Sequence, residues 1–135
     1  MQEITLDNVF DMTKEQEQQG DTTSQQFIDE INFISTHLYE IIENRKEDLR
    51  DIRPGTLLRI LENENIKIKN EDQLLTLIND LYQYAREYSI LYEAVAFRRV
   101  SAEKMKDFVE VFDMKDLSQP AWRNLCGRLV CDIKD

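Results

Sequence analysis

Few residues in this chain are equipped for chemistry. They are one histidine, His37; two cysteines, Cys126 and Cys131; an acidic pair, Glu71-Asp72; and tyrosines at 82, 84, 88 and 92. A metal site needs several His, Cys or carboxylate ligands converging on one point. His37 has no second histidine with which to share an ion. The cysteines stand on what reads as one helix at a spacing that turns their side chains about 140° apart, a poor geometry for a mutual disulfide. Reduced thiols, no metal and no cofactor are the expectation, and with them a cytoplasmic or nuclear location.

Nucleophilic catalysis fares no better. The glycines at 20, 55 and 127 are isolated, so no phosphate-cradling G-x-x-x-x-G-K-[ST] loop exists. A Ser-His or Cys-His site would need His37 as its only imidazole base, and no Ser or Cys sits in a nucleophile-turn sequence. Such groups meet in space rather than in order, so a cleft around His37 with perturbed acids nearby would mark an enzyme. The expectation is a non-enzymatic protein with no catalytic residues.

The remaining candidates read as structure or as docking. Asn70 with Gln73 has the pattern of a capping box, and Glu71-Asp72 then place negative charge on the positive end of a helix dipole. Tyr92, among Leu91 and Val95, suits a core border, whereas Tyr84 and Tyr88 are predicted to be an exposed pair able to meet a partner. Arg98-Arg99 with Lys104 and Lys106 form a small basic patch that reads as solvated charge.

These groups must be held by the rest of the chain. At 135 residues the size prior gives a single domain over 1–135, frayed in its first and last few residues. With 41% hydrophobic and 33% charged residues, but only three Gly and two Pro, a helical globule is favoured over a many-turned sheet. The net charge of −10 argues against nucleic acid. Residues 1–48 hold 12 acids against 3 bases, and residues 49–135 hold 15 against 14, so the acidity is concentrated in the N-terminal third. No run approaches the ~20 apolar residues of a membrane span.

Periodicity then sets out the elements. Thr5 or Asp7 is expected to cap a first helix carrying Val9, Phe10 and Met12 and ending at Gly20. Ser24 caps a second, with Phe27, Ile31, Ile34, Leu38 and Ile41 as one continuous stripe, and the polar ENRKED closes it near residue 46. EDLRDI forms a short turn, Pro54-Gly55 interrupts it, and Thr56 caps LLRILE. NIKIKN alternates, which predicts an extended connector. The Asn70 helix runs to Tyr84–Glu87, and Ser89 restarts another through ILYEAVAF. Ser101 begins a helix with Met105, Phe108, Val109 and Phe112 on one face. Ser118 with Pro120 begins the last, with the stripe Trp122, Leu125, Leu129 and Ile133. The fold class is all-α, a compact bundle of six to eight short helices.

In their order, the stretches TLDNVFDM, QQFIDEINFISTHLYEII, LRDIRPGTLLRILENENIKIKNEDQLLTLINDL and SILYEAVAFRRVS resemble the BACK domain, the helical module that follows BTB in BTB–BACK–Kelch proteins. Leu81-Tyr82 stands where the family usually has a Trp, and the first helix is unusually rich in Gln and Glu. The resemblance implies helix pairs stacked in a solenoid-like way. It also implies a scaffold linking a BTB domain to substrate recruitment in cullin-RING ubiquitin ligase adaptors, with a BTB domain and a cullin as protein partners. Its candidate contact residues, carried onto this chain, are Val9, Phe10, Phe27 and Ile31, whose other reading is core packing between two helices. An excised piece of an adaptor and a divergent relative working alone both fit. So does a stand-alone helical bundle that binds a partner peptide in a regulatory complex, with the oligomeric state left open.

Overall fold

Three helices begin where the sequence places their caps. Ser24 Oγ accepts from the Phe27 N–H at 3.2 Å, Asn70 Oδ1 from Gln73 at 2.8 Å, and Ser101 Oγ from Lys104 at 3.3 Å. Each bond satisfies one of the donors that a helix start leaves unpaired. The computed structural model describes residues 3–134, with side chains from 3 to 129. Its described secondary structure is entirely helical: seven α-helices joined by 3₁₀ turns. The length prior expects one domain, and the chain divides into two compact units, Met1–Lys67 and Ile68–Asp135.

The first unit contains α1 (Val9–Gln19), α2 (Gln25–Thr36), α3 (Leu38–Asn44), a 3₁₀ run over Lys46–Asp51 and α4 (Pro54–Leu61). Neither Thr5 nor Asp7 caps α1 with its side chain. The Thr5 carbonyl accepts from Val9 N–H at 2.9 Å, Asn8 takes the cap position, and Asp7 pairs with Arg45. Gly20 ends α1 as predicted, with φ 76°, a left-handed conformation that costs glycine little. Pro54 does not break a helix but opens α4 as its first residue, where its missing N–H is no loss. Thr56 therefore lies inside α4, buried, and not at its cap.

The predicted unbroken helix over 27–46 is two helices. Lys67 lies against the joint: its N–H donates to the Ser35 carbonyl, and its carbonyl accepts from Tyr39 N–H, both at 2.9 Å. Ser35 and Tyr39 are the i, i+4 pair that would otherwise bond to each other. The ladder opens at His37, yet Phe27, Ile34, Leu38 and Ile41 all remain fully buried. Ser35 Oγ also donates to the Ile60 carbonyl at 2.9 Å, which ties α2 to α4.

Inside this unit lies a carboxyl with no cation. Glu30 is fully buried and accepts from Thr13 Oγ1 and Gln26 Nε2, each at 3.2 Å. The Gln16 amide, with its nitrogen turned inward, adds donors to both oxygens at 3.0 and 2.5 Å. Burial raises the acid's pKa above its usual range, and the two side-chain hydrogen bonds pull it partly back. The folded state thus holds this proton more tightly than the unfolded chain does. The group's contribution to stability is complete below the ordinary glutamate pKa and is lost as pH rises through the raised value. Glu30→Gln should raise the midpoint of urea unfolding at pH 7, with the gain shrinking as pH falls toward 4.5. An equal gain at both pH values would remove burial of the charge as its cause.

The second unit contains α5 (Glu71–Tyr84), 3₁₀ runs over Arg86–Ala94 and Phe97–Arg99, α6 (Ala102–Val111), a 3₁₀ turn over Met114–Asp116 and α7 (Gln119–Lys134). The segment predicted as a helix from Ser89 starts at Arg86 and is 3₁₀, because Ala85 is extended (φ −154°, ψ 126°) and ends the α ladder. Its centre is aromatic. The Tyr92 ring lies 5.1 Å from both Phe108 and Phe112, edge-on, and 5.6 Å from Tyr82. Tyr92 Oη donates to Asn79 Oδ1 at 2.6 Å, inside the core.

Candidate interaction surface

Glu71 and Asp72 do more than favour the start of α5. Glu71 Oε2 accepts from Ala96 N–H at 3.1 Å and Asp72 Oδ1 from Ser101 N–H at 2.8 Å, so the pair grips both ends of the short 3₁₀ turn. On the far side of that turn stands α7. Asn124 Nδ2 donates to the Glu93 carbonyl at 2.8 Å, and Arg128 Nη1 to the carbonyls of Phe97 at 2.9 Å and Val100 at 2.5 Å. α7 thus supplies side-chain donors, from one face, to carbonyls along the 3₁₀ runs. That face is Ala121, Asn124 and Arg128, at spacings of three and four.

The predicted apolar stripe of α7 is therefore turned partly outward, with Leu125 half-buried. Trp122 is 50% exposed and Leu129 57%; Ile133 and Cys131 lie outside the described side chains. On α6, Phe108 is buried as predicted, but Val109 is 70% exposed. An open groove of about 340 Å³ runs along α6, lined by Ala102, Met105, Lys106, Val109 and Glu110, with Arg128 reaching in from α7. Arg128 also bonds the carbonyls on either side of Arg98-Arg99, which puts those two exposed cations at the Ala102 end. The groove has a basic end and, at Glu110, an acidic one.

The residues singled out from sequence do not converge. Val9, Phe10, Phe27 and Ile31 are all buried in the first unit at 5% exposure or less, as mutual core. Tyr84 is exposed, but Tyr88 is buried, which corrects the expected exposed pair. The two would share a face only on a continuing α-helix, and that helix ends between them. His37 is half-buried and stacked on Phe33 at 4.1 Å, with Nδ1 2.8 Å from the Phe33 carbonyl. A protonated Nδ1 donates there, which gives the ring a local structural role. Tyr82, Arg86, Asp113 and Asp116 form a network in the second unit, in which Arg86 bonds both aspartates and Tyr82 donates to Asp116. The Tyr82 hydrogen bond and the Arg86 guanidinium lower the Asp116 pKa below the usual carboxylate range, while burial raises that of Tyr82.

Among the described residues no cluster of three His, Cys, Asp or Glu could hold a metal ion, and no helix is long and apolar enough to cross a membrane. Comparison with protein-family models, curated proteins and solved structures found no match to this chain.

Proposed function

We propose that the chain is a non-enzymatic protein-interaction module whose α6–α7 surface receives an amphipathic helix of a partner protein. The observation that carries this reading is the groove along α6 with exposed Val109 in its lining, together with the exposed Trp122 and Leu129 on α7, the helix that sends Arg128 into it. Isolated exposed apolar residues are ordinary on a protein surface. Here three large ones stand on the two helices that contribute to one groove, and a polar inner face on α7 holds two of them outward. Apolar anchors recurring every three or four residues on a partner helix would match them. The basic Ala102 end, with Arg98, Arg99 and Arg128, fits a helix carrying carboxylates on that flank.

Trp122 is the chain's single tryptophan, so its own emission reports the test. Titration with an amphipathic helical peptide bearing acidic residues at one end should give a saturable blue shift. Val109→Asp with Leu129→Asp should weaken that binding at least tenfold and leave the unfolding midpoint unchanged, since both positions are exposed. A blue shift that follows the protein's own concentration without peptide would point to a second copy as the occupant. No shift in either experiment would sink the reading.

The adaptor role implied by the BACK resemblance is a narrower form of the same proposal. Its named contact residues are buried, so binding to a cullin would have to use other positions. A pull-down of a BTB fusion of this chain with a cullin N-terminal fragment tests it, and absence of binding would remove it.

A further inference from the structure

The basic patch at the end of α6 has a spacing that neither solvation nor docking uses. The sequence reads Arg98-Arg99-Val100-Ser101, and Ser101 is the only serine or threonine in the chain with arginine both two and three residues before it. Arg98, Arg99 and Ser101 are all exposed, whereas Phe97 and Val100 are buried and anchor the segment between them. We propose that Ser101 is a phosphorylation site for a serine/threonine kinase whose substrate cleft carries carboxylates for those two guanidinium groups. Paired arginines suit such a cleft because each can form charge-assisted, bidentate bonds with a carboxylate.

The backbone is already close to what a kinase cleft reads. Val100 (φ −82°, ψ 140°) and Ser101 (φ −67°, ψ 157°) are extended. Arg98 and Arg99 sit in a single 3₁₀ turn closed by two backbone bonds, Arg99 N–H to Ala96 at 2.9 Å and Val100 N–H to Phe97 at 3.1 Å. Aligning all four residues in a cleft requires that turn to open and the Glu71, Asp72 and Arg128 hydrogen bonds around it to release, while α6 stays wound. In the transfer, Ser101 Oγ forms a bond to the γ-phosphorus of ATP, the bond from that phosphorus to the bridging oxygen breaks, and ADP leaves. The hydroxyl proton passes to the catalytic aspartate of the kinase. The product places a charge of about −1.5 to −2 beside Asp72, whose carboxylate already holds the Ser101 N–H.

On the docking reading, that phosphate stands at the basic end of the groove and opposes an acid-flanked helix. The site itself does not depend on that reading: labelling tests the site and the tryptophan titration tests the docking, so the two fail separately. The folded full-length chain, incubated with ATP and a kinase selective for paired arginines such as the cyclic-AMP-dependent enzyme, should take up one phosphoryl group, located at Ser101 by fragment mass analysis. Ser101→Ala should abolish the uptake, and Arg98→Ala with Arg99→Ala should slow it about tenfold or more through lost charge-assisted contacts. Uptake that persists in Ser101→Ala overturns the proposal. So does labelling of a peptide spanning residues 96–104 under conditions where the folded chain stays unlabelled.

Discussion

Replacing Phe27 by alanine should destabilise the protein by about 3–5 kcal/mol, the range for truncating a buried aromatic residue. Phe27 has no exposed surface, it lies on α2, which packs on α1 and α4, and the Arg59 guanidinium stands 5.4 Å above its ring. That guanidinium is itself held by the Thr22 carbonyl at 2.8 Å, so it is poorly placed to close a cavity left beneath it. Truncation would forfeit the ring's burial and the cation–π contact together. Urea unfolding at pH 7 measures the loss. The same experiment decides between the two readings of Val9, Phe10, Phe27 and Ile31. Residues serving a partner could be shortened with little effect on stability, whereas core residues could not. A loss below about 1 kcal/mol, within the usual reach of surface substitutions, would return Phe27 to the list of contact candidates.

What was legible in the sequence was what neighbours in the chain decide between themselves. The caps at Ser24, Asn70 and Ser101 depend on residues three positions apart, and all three formed. The alternation over residues 66–69 likewise survives, with both lysines exposed and both isoleucines half-buried. The break at His37 was not legible, because its cause is the backbone of Lys67, some thirty positions away, taking over one rung of the ladder. No side chain at 37 announces that. The orientation of α7 failed to show for a related reason. Its 3-4-4 stripe of Trp122, Leu125, Leu129 and Ile133 looks like a core face. The competing demand comes from the carbonyls of Glu93, Phe97 and Val100, which take side-chain donors from α7 along a stretch that is 3₁₀ rather than α. Asn124 and Arg128, four apart, were the available signal, a pair of side-chain donors on one side of that helix. The exposed surface is thus a consequence of satisfying buried backbone, and it could not be read without knowing which backbone was left unsatisfied.

Tyr92 connects that surface to the core behind it. Tyr92→Ala should cost about 3–5 kcal/mol, because its ring is fully buried and touches Phe108 and Phe112, the residues that seat α6 and the turn after it. Tyr92→Phe keeps the ring and removes only the hydroxyl that donates to Asn79. It should cost about 1–3 kcal/mol, the penalty for a buried acceptor left unpaired. Burial already raises the pKa of this phenol well above the usual tyrosine range, so the hydroxyl stays a donor throughout the pH range in which the protein would be studied. The pair of variants separates packing from hydrogen bonding in the support of α6, with urea unfolding and the tryptophan titration as readouts. Tyr92→Ala should lower stability and peptide binding together, since Met105 and Val109 lose the floor that positions them. Tyr92→Phe should lower stability and leave binding within about twofold, because a retained ring preserves most of the packing. If instead Tyr92→Ala bound peptide as the parent does, α6 would be placed without its aromatic seat, and the groove would owe its shape to the Ser101 cap and the Asp72 clamp alone.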